Sequence, residues 1–314
     1  MKISNVPTID FKTVKTDPSQ LKLLDSACRD HGFFLLKNHG MQSTINDMWQ
    51  ASEWFFKQPR KDKLAITRTE SIPLGYYDRE LTKQKRDLKE VFDFMLPKVG
   101  GEDFNQWPED QDFKNVMLHF FQEASTVAAQ TLDLLFYALK NDQITLPVGE
   151  SKTSNARLNF YPISDPLDSS DQARVSELGD MALHHHTDPG ILTLLLQDMT
   201  GGLQAKSKES GWIDIEPEED TIVVNLGDAM QVWSNDQYVA AIHRVLKRTN
   251  NSRYSTPYFY NPEGNAVLKP IEGLSSESDL YKSFTWKEYI QGRVNDNYED
   301  LGEDDIQIER FRVS

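Results

Sequence analysis

The chain has 314 residues, with 34 Lys and Arg against 49 Asp and Glu and a formal net charge of −15 at pH 7. A field of that sign repels phosphate, which excludes nucleic acid and anionic membrane surfaces as partners. A single cysteine excludes an internal disulfide and fits a reducing compartment, and no apolar run approaches bilayer length or resembles a leader, so the expected location is cytoplasmic.

In chain order, the first third reads mainly helical. Asp17-Pro18-Ser19-Gln20 has the form of a capped helix start with proline in the first turn, and Leu21, Leu24 and Cys28 then repeat at three and four until Gly32 stops the helix. Ile45, Met48, Ser52, Phe55 and Phe56 form a second apolar stripe that ends at Pro59. The longest helix is expected from about Asp112 to Leu139, with Val116, Phe120, Ala124, Val127 and Leu134-Leu135 along one side.

Strand signals follow. Asn159-Phe160-Tyr161-Pro162 is extended chain ended by proline, and the polar, turn-rich stretch up to Leu183 is expected to cover part of an active-site pocket as a loop. Ile191 to Leu196 and Thr221 to Leu226 are short apolar strands, the second stopped by Gly227-Asp228. Val239 to Ile242 is apolar and leads into His243; Thr285-Trp286-Lys287-Glu288 caps a last helix; the tail from Asn295 to Glu309 is acidic and expected to be solvated.

The chemistry lies in His186-Thr187-Asp188, with His243 following 55 residues after Asp188 and Arg253 ten residues after that. Residues i and i+2 of an extended segment point to the same side, so His186 and Asp188 can reach one ion while Thr187 faces away. Two imidazoles and a carboxylate are the ligand set of a non-haem Fe(II) site with open positions. Zinc is the competing ion, because a hydrolytic zinc site can be built from similar ligands. His184 and His185 extend the histidine run, but the pairing with Asp188 selects His186.

What favours Fe(II) is Arg253-Tyr254-Ser255. Arg253 and Ser255 share one strand face, where a guanidinium fork and a hydroxyl form a clamp for a carboxylate. Asn159 and Tyr161 form a second such pair, able to donate to the same ligand. Together they imply an anionic co-substrate, an oxoacid held at its far end while its near end chelates the metal.

With these residues in place, the chain resembles the iron(II) and 2-oxoglutarate-dependent dioxygenases of the isopenicillin N synthase-like, plant-type branch. The likeness extends from Val6-Pro7-Thr8-Ile9-Asp10-Phe11 and Gly32-Phe33-Phe34-Leu35-Leu36-Lys37-Asn38-His39-Gly40, through Asn159 to Pro162 and His186 to Gly190, to Val223-Val224-Asn225-Leu226-Gly227-Asp228, His243-Arg244-Val245-Leu246 and Arg253-Tyr254-Ser255. It spans residues 5 to 292.

The resemblance implies an α+β fold with a mainly β core, a double-stranded β-helix (jelly roll) flanked by N-terminal helices. Residues 1–150 would pack on the core as part of one structural unit, 151–292 would be the oxygenase core and 293–314 an acidic tail. It also implies Fe(II) on His186, Asp188 and His243, and 2-oxoglutarate on Arg253 and Ser255 with Asn159 and Tyr161 assisting. O2 would be the second co-substrate. The implied reaction hydroxylates, desaturates or cyclises a small molecule through an Fe(IV)-oxo, releasing succinate and CO2. By the same alignment Phe259 and Asn261 would face the substrate. Related plant enzymes often carry an acidic residue where this chain has Asn261, which removes the basis for transferring a flavonoid-type substrate. Tyr76, Phe92 and Phe94 are further candidate pocket aromatics. The expected protein is a monomer with a small-molecule substrate and neither a nucleic-acid nor a membrane partner. Two rival readings are an Fe(II) oxidase of the same fold that uses no 2-oxoglutarate, and a non-catalytic metal or small-molecule binding protein.

Overall fold

The computed structural model describes residues 6–69, 71–82, 85–97, 103–140, 144–149, 152–179, 181–208, 210–247, 250–274, 278–294 and 307–313. The N-terminal region begins with β1 (Thr8–Asp10), α1 (Pro18–Asp30), β2 (Phe33–Lys37), α2 (Gln42–Phe56) and α3 (Arg60–Leu64). Asp17 caps α1 as its sequence predicts, accepting from the Ser19 amide, and Leu24, Ala27 and Cys28 form its buried face. Gly32 adopts φ +65°, and a Cβ there would run into the Val239 carbonyl, so only glycine turns the chain from α1 into β2.

Short strands follow: β3 (Gly75–Tyr77), β4 (Leu81–Thr82), β5 (Lys85–Arg86) and β6 (Glu90–Phe94). The long helix α4 (Gln111–Ala138) begins one residue before the expected start, because Asp110 caps it by accepting from the Phe113 amide.

The remaining elements are β7 (Asn155–Tyr161), α5 (Ser169–Gln172), β8 (Leu183–His186), β9 (Leu192–Gln197), β10 (Leu203–Ser207), β11 (Gly211–Asp214), β12 (Thr221–Leu226), α6 (Asp228–Trp233), β13 (His243–Val245), β14 (Arg253–Tyr260), the short pair β15 (Val267–Leu268) and β16 (Phe284–Thr285), and α7 (Trp286–Val294). Eight strands form one sheet in the order β1-β2-β12-β9-β14-β7-β6-β3, and four form a second in the order β11-β10-β13-β8. This is the jelly-roll core. The N-terminal region supplies four of the eight strands of the larger sheet, continuing it on both sides.

The larger sheet is covered on one face by helices and on the other by the smaller sheet. Strand alternation sorts the side chains between these faces. On β14, Thr256 touches Met48 of α2 and Tyr258 packs edge-on against Phe121 of α4, whereas Arg253, Ser255, Pro257 and Phe259 point into the barrel. The two faces carry separate apolar cores, the larger under the helices and the smaller around Phe33, Leu35, Leu203, Ala205 and Val223 between the sheets.

Two segments differ from expectation. The stretch 163–183 is tied to the N-terminal region at its start, where Arg86 pairs with Asp165 and Arg60 with Asp171 at 2.9 Å, and to β13 at its end, where the Ala182 amide donates to the Val245 carbonyl at 3.1 Å; none of its described residues before Leu183 lines the cavity that holds His186, Asp188 and His243. Residues 295–306 of the acidic tail lie outside the described residues. The described end of the tail is docked, with Ile308 buried, half-buried Phe311 stacked on Phe284 at 3.8 Å, and Arg312 paired with Asp236 at 2.7 Å, so the packing of these apolar side chains overrides the acidic composition there.

Candidate metal and oxoacid site

His186 is the last residue of β8, Asp188 lies in the turn before β9, and His243 opens β13 directly opposite His186 in the antiparallel register. One ligand atom from each lies within 4.8 Å of the other two. Asp188 Oδ1 is 3.7 Å from His186 Nε2 and 3.9 Å from His243 Nε2, and the imidazole centroids are 4.3 Å apart.

Neighbouring groups aim these atoms. His186 Nδ1 donates to the His184 carbonyl at 2.9 Å and His243 Nδ1 to the Ala241 carbonyl at 3.0 Å. A carbonyl only accepts, so both Nδ1 atoms carry the proton and both Nε2 lone pairs are free for a metal. Asp188 Oδ2 accepts from Thr193 Oγ1 at 2.6 Å and from Asn225 Nδ2 at 2.7 Å, which leaves Oδ1 to face the histidines. The turn carrying Asp188 is held by α6: the Asp228 amide donates to the Asp188 carbonyl at 2.8 Å and the Ala229 amide to the Gly190 carbonyl at 3.1 Å. A Cβ on Gly227 would run into those carbonyl oxygens, so the close approach requires glycine.

Electrostatics favour the metal-binding protonation states. Burial, with His243 as the second cause, pushes the His186 imidazole down to about 3 and keeps it neutral. Burial alone would raise Asp188, but His243 and His186 together with the Thr193 and Asn225 donors hold its carboxyl below the usual range. The set is two imidazole nitrogens and one carboxylate with no thiolate, a donor set that fits Fe(II).

Arg253 is 1% exposed and stands opposite Tyr161 in the β14–β7 register, with Ser255 opposite Asn159. Its Nη1 donates to Ser255 Oγ at 3.2 Å and its Nη2 to Gln197 Oε1 at 3.4 Å, while Nε has no partner among the described residues. The guanidinium lies 5.0 Å from the Tyr161 ring centroid, and Asn159 Nδ2 reaches Ser255 Oγ at 3.5 Å. The four residues expected to grip the oxoacid are therefore one cluster. They share a 280 Å³ cavity with His186, Asp188 and His243.

Beyond the clamp the same strand faces continue as Arg157 and Asn155 on β7 and as Pro257, Phe259 and Asn261 along β14 and just past it, all on the cavity wall. Asn261 donates to the Thr153 carbonyl at 2.8 Å. Tyr76 and Phe92 do not line the cavity. Both are fully buried on the helix-facing side, Tyr76 donating to Glu90 at 2.6 Å and Phe92 packed against Phe55, Phe94 and Phe113. They pair in register between β3 and β6, and alternation sends both away from the barrel interior, as it does Phe94. As substrate-facing candidates they are replaced by residues on the opposite face of the sheet.

Sequence reasoning misses several wall residues: Thr193 and Asn225 behind Asp188, then Glu80, Lys89, Arg157 and Arg293. The first two are single polar residues inside apolar runs, Leu192-Thr193-Leu194 and Val224-Asn225-Leu226, and a polar group in a buried strand must find a partner. That is the available signal. The charged residues carry no comparable local mark.

The 2OG-Fe(II) oxygenase superfamily profile matches residues 153–262, and the profile described as non-haem dioxygenase in morphine synthesis N-terminal matches residues 6–110. Among curated relatives, Protein DMR6-LIKE OXYGENASE 1 of Arabidopsis thaliana is 32% identical over 91% of this chain and 81% of its own length. 1-Aminocyclopropane-1-carboxylate oxidase 1 of Oryza sativa subsp. japonica is 30% identical over 94% and 92%. Among solved structures, a full-length Neurospora crassa protein in complex with alpha-KG superposes with a TM-score of 0.78 at 27% identity, covering 92% of this chain and 96% of the other. JOX2 in complex with 2OG, Fe and JA superposes with a TM-score of 0.77 at 25% identity, covering 91% and 84%. A jelly roll with an inward His-Asp-His set, matched along nearly its whole length by such relatives, belongs to the 2OG-Fe(II) oxygenase superfamily and works as an Fe(II)- and 2-oxoglutarate-dependent oxygenase.

Proposed function

We propose that His186 Nε2, Asp188 Oδ1 and His243 Nε2 hold the Fe(II), and that Arg253 and Ser255, with Asn159 and Tyr161, hold the distal carboxylate of 2-oxoglutarate. The observation that carries this reading is the convergence of both groups of residues on one cavity. Bound Fe(II) supplies the redox chemistry that couples O2 and 2-oxoglutarate to oxidation of the prime substrate, with succinate and CO2 released.

The protein's own residues do the positioning. The backbone carbonyls of His184 and Ala241 fix the imidazole tautomers, and Thr193 and Asn225 fix the rotation of the carboxylate. Arg253 is buried without a carboxylate partner among the described residues, so a bound diacid supplies the missing charge. The Tyr161 ring beneath it sets the plane of the guanidinium. The prime substrate lies along Asn155, Phe259 and Asn261, further down the same strand faces.

The solved complexes of the Neurospora crassa protein with thymine and of JOX2 with JA favour a small organic molecule as the prime substrate. The net charge of −15 supports a protein without nucleic-acid partners, and the single buried cysteine supports a cytoplasmic setting. No helix among the described residues is long and apolar enough to cross a membrane.

Protein reconstituted anaerobically with Fe(II) is expected to consume 2-oxoglutarate and form succinate when air is admitted. Absence of any turnover, coupled or uncoupled, would refute the assignment. Calorimetric titration of 2-oxoglutarate into the Mn(II)-loaded protein separates this reading from a same-fold oxidase in which Arg253 and Ser255 grip the substrate's own carboxylate.

A further inference from the structure

Cations on the cavity wall fall into two groups. Lys89 is neutralised, with Glu80 at 2.8 Å and Asp87 at 3.1 Å, and so is Arg157, which takes Asp93 through two nitrogens at 2.7 and 3.0 Å and Glu80 at 3.0 Å. Arg253 has no carboxylate within 4.0 Å among the described residues, and the oxoacid explains that. Arg293 has none among them either.

Arg293 comes from α7, outside the barrel strands, and reaches the wall beside Ile290 and Thr187. It is 8% exposed. Its Nη2 donates to the Thr187 carbonyl at 2.8 Å, and its buried Nη1 finds no acceptor among the described residues. Asp228 makes no contact pair with it within 4.0 Å and accepts from Tyr289 at 2.6 Å and Thr187 at 3.2 Å; burial raises its carboxyl and the Arg293 charge offsets that only in part, so the two groups interact at a distance. A buried guanidinium with one neutral hydrogen bond is a costly arrangement unless a ligand completes it. Held at Arg253 and directed to the metal, 2-oxoglutarate leaves the lower strand face free, where Arg253 and Phe259 are six residues and about 20 Å apart at the usual strand rise.

We propose that Arg293 recognises the prime substrate and that this substrate is a small organic acid. Its carboxylate pairs with the Arg293 fork, and its carbon skeleton lies against Ile290 and Phe259, beside the metal ligands. A guanidinium matches a carboxylate through two parallel N–H donors, a geometry that a neutral amide or ester does not reproduce. The proposal rests on the reading that Arg253 is occupied by 2-oxoglutarate.

The test is equilibrium binding to the full chain, loaded anaerobically with Mn(II) and saturated with 2-oxoglutarate. Hexanoate, phenylacetate and 3-phenylpropanoate are titrated calorimetrically beside their primary amides. The expected result is that at least one acid binds at least tenfold more tightly than its amide, that Arg293→Gln brings this preference close to onefold, and that Arg293→Lys retains part of it. Acids that fail to bind, or bind no better than their amides, overturn the proposal in the wild-type protein without reliance on any variant; so does a preference that survives in Arg293→Gln. The series is repeated without 2-oxoglutarate. Failure of 2-oxoglutarate itself to bind overturns the Arg253 reading, while the acid-to-amide ratio still reports on Arg293.

Discussion

Thr193→Val and Asn225→Leu remove the two donors that orient Asp188 while keeping nearly the same volume. Thr193 and Asn225 are 3% and 1% exposed, so bulk water does not readily replace either bond to Oδ2. Both bonds exist before metal binds, so their loss appears first in the metal-free protein, at about 1.5–3 kcal/mol for each hydrogen bond to a charged group. A second cost appears on metal binding. Without the donors the carboxylate rotates, and the ion must itself bring Oδ1 into line; comparable outer partners of metal ligands change affinity by about 10–100-fold. The single variants are expected near the lower figure and the double variant nearer the upper. Because both donors act on one oxygen, the double effect should fall short of the product of the singles. Anaerobic Mn(II) or Fe(II) titration gives the affinities, and urea denaturation of the metal-free protein gives the stabilities. Wild-type metal affinity in both single variants and in the double variant would refute the argument that these bonds pre-orient the ligand.

Asp188→Ala is expected to abolish metal retention and turnover, since it removes a ligand and its charge together; metal analysis after desalting checks it. His184→Ala should retain metal, because its ring faces Asp87 at 3.5 Å and only its backbone carbonyl serves His186. Arg253→Lys should weaken 2-oxoglutarate binding by about 10–100-fold, the equivalent of one charged hydrogen bond, as read by calorimetry. Burial, with Asp25 as the second cause, pushes the Cys28 thiol well above its ordinary range, so an alkylating reagent at pH 8 should leave the native protein unmodified and label it once denatured.

Much of the site was legible because it is local. His186 and Asp188, Arg253 and Ser255, and Asn159 and Tyr161 are each two residues apart in extended chain, and pleating alone puts each pair on one side. The helices were legible for the parallel reason that α1 and α2 each bury one stripe and expose the other. β6 carries no such record. All five of its residues are buried, helix layer on one side and barrel interior on the other, so apolar character does not say which way Phe92 points. Its pairing with β7 is what fixes the direction, since Phe92 stands opposite Leu158 on the helix-facing side.

Arg157, Lys89 and Arg293 were beyond sequence reasoning for a different reason. Charged residues default to the surface, and what brings Arg157 and Lys89 inside is a set of acids from elsewhere in the chain, Glu80, Asp87 and Asp93, assembled only by the fold. Arg293 has no contact ion pair among the described residues and meets the charge of Asp228 only at a distance. If the stability of the metal-free protein were limited by uncompensated buried charge, Arg293→Gln and Arg253→Gln would each be expected to raise it, at the expense of ligand binding. Arg157→Gln would lower it, because Asp93 and Glu80 would then lose a partner. Denaturation of these three variants in the absence of metal and ligand measures the contrast directly. Destabilisation of all three to the same degree would mean that Arg293 and Arg253 are needed for the fold itself and not held in readiness for anions.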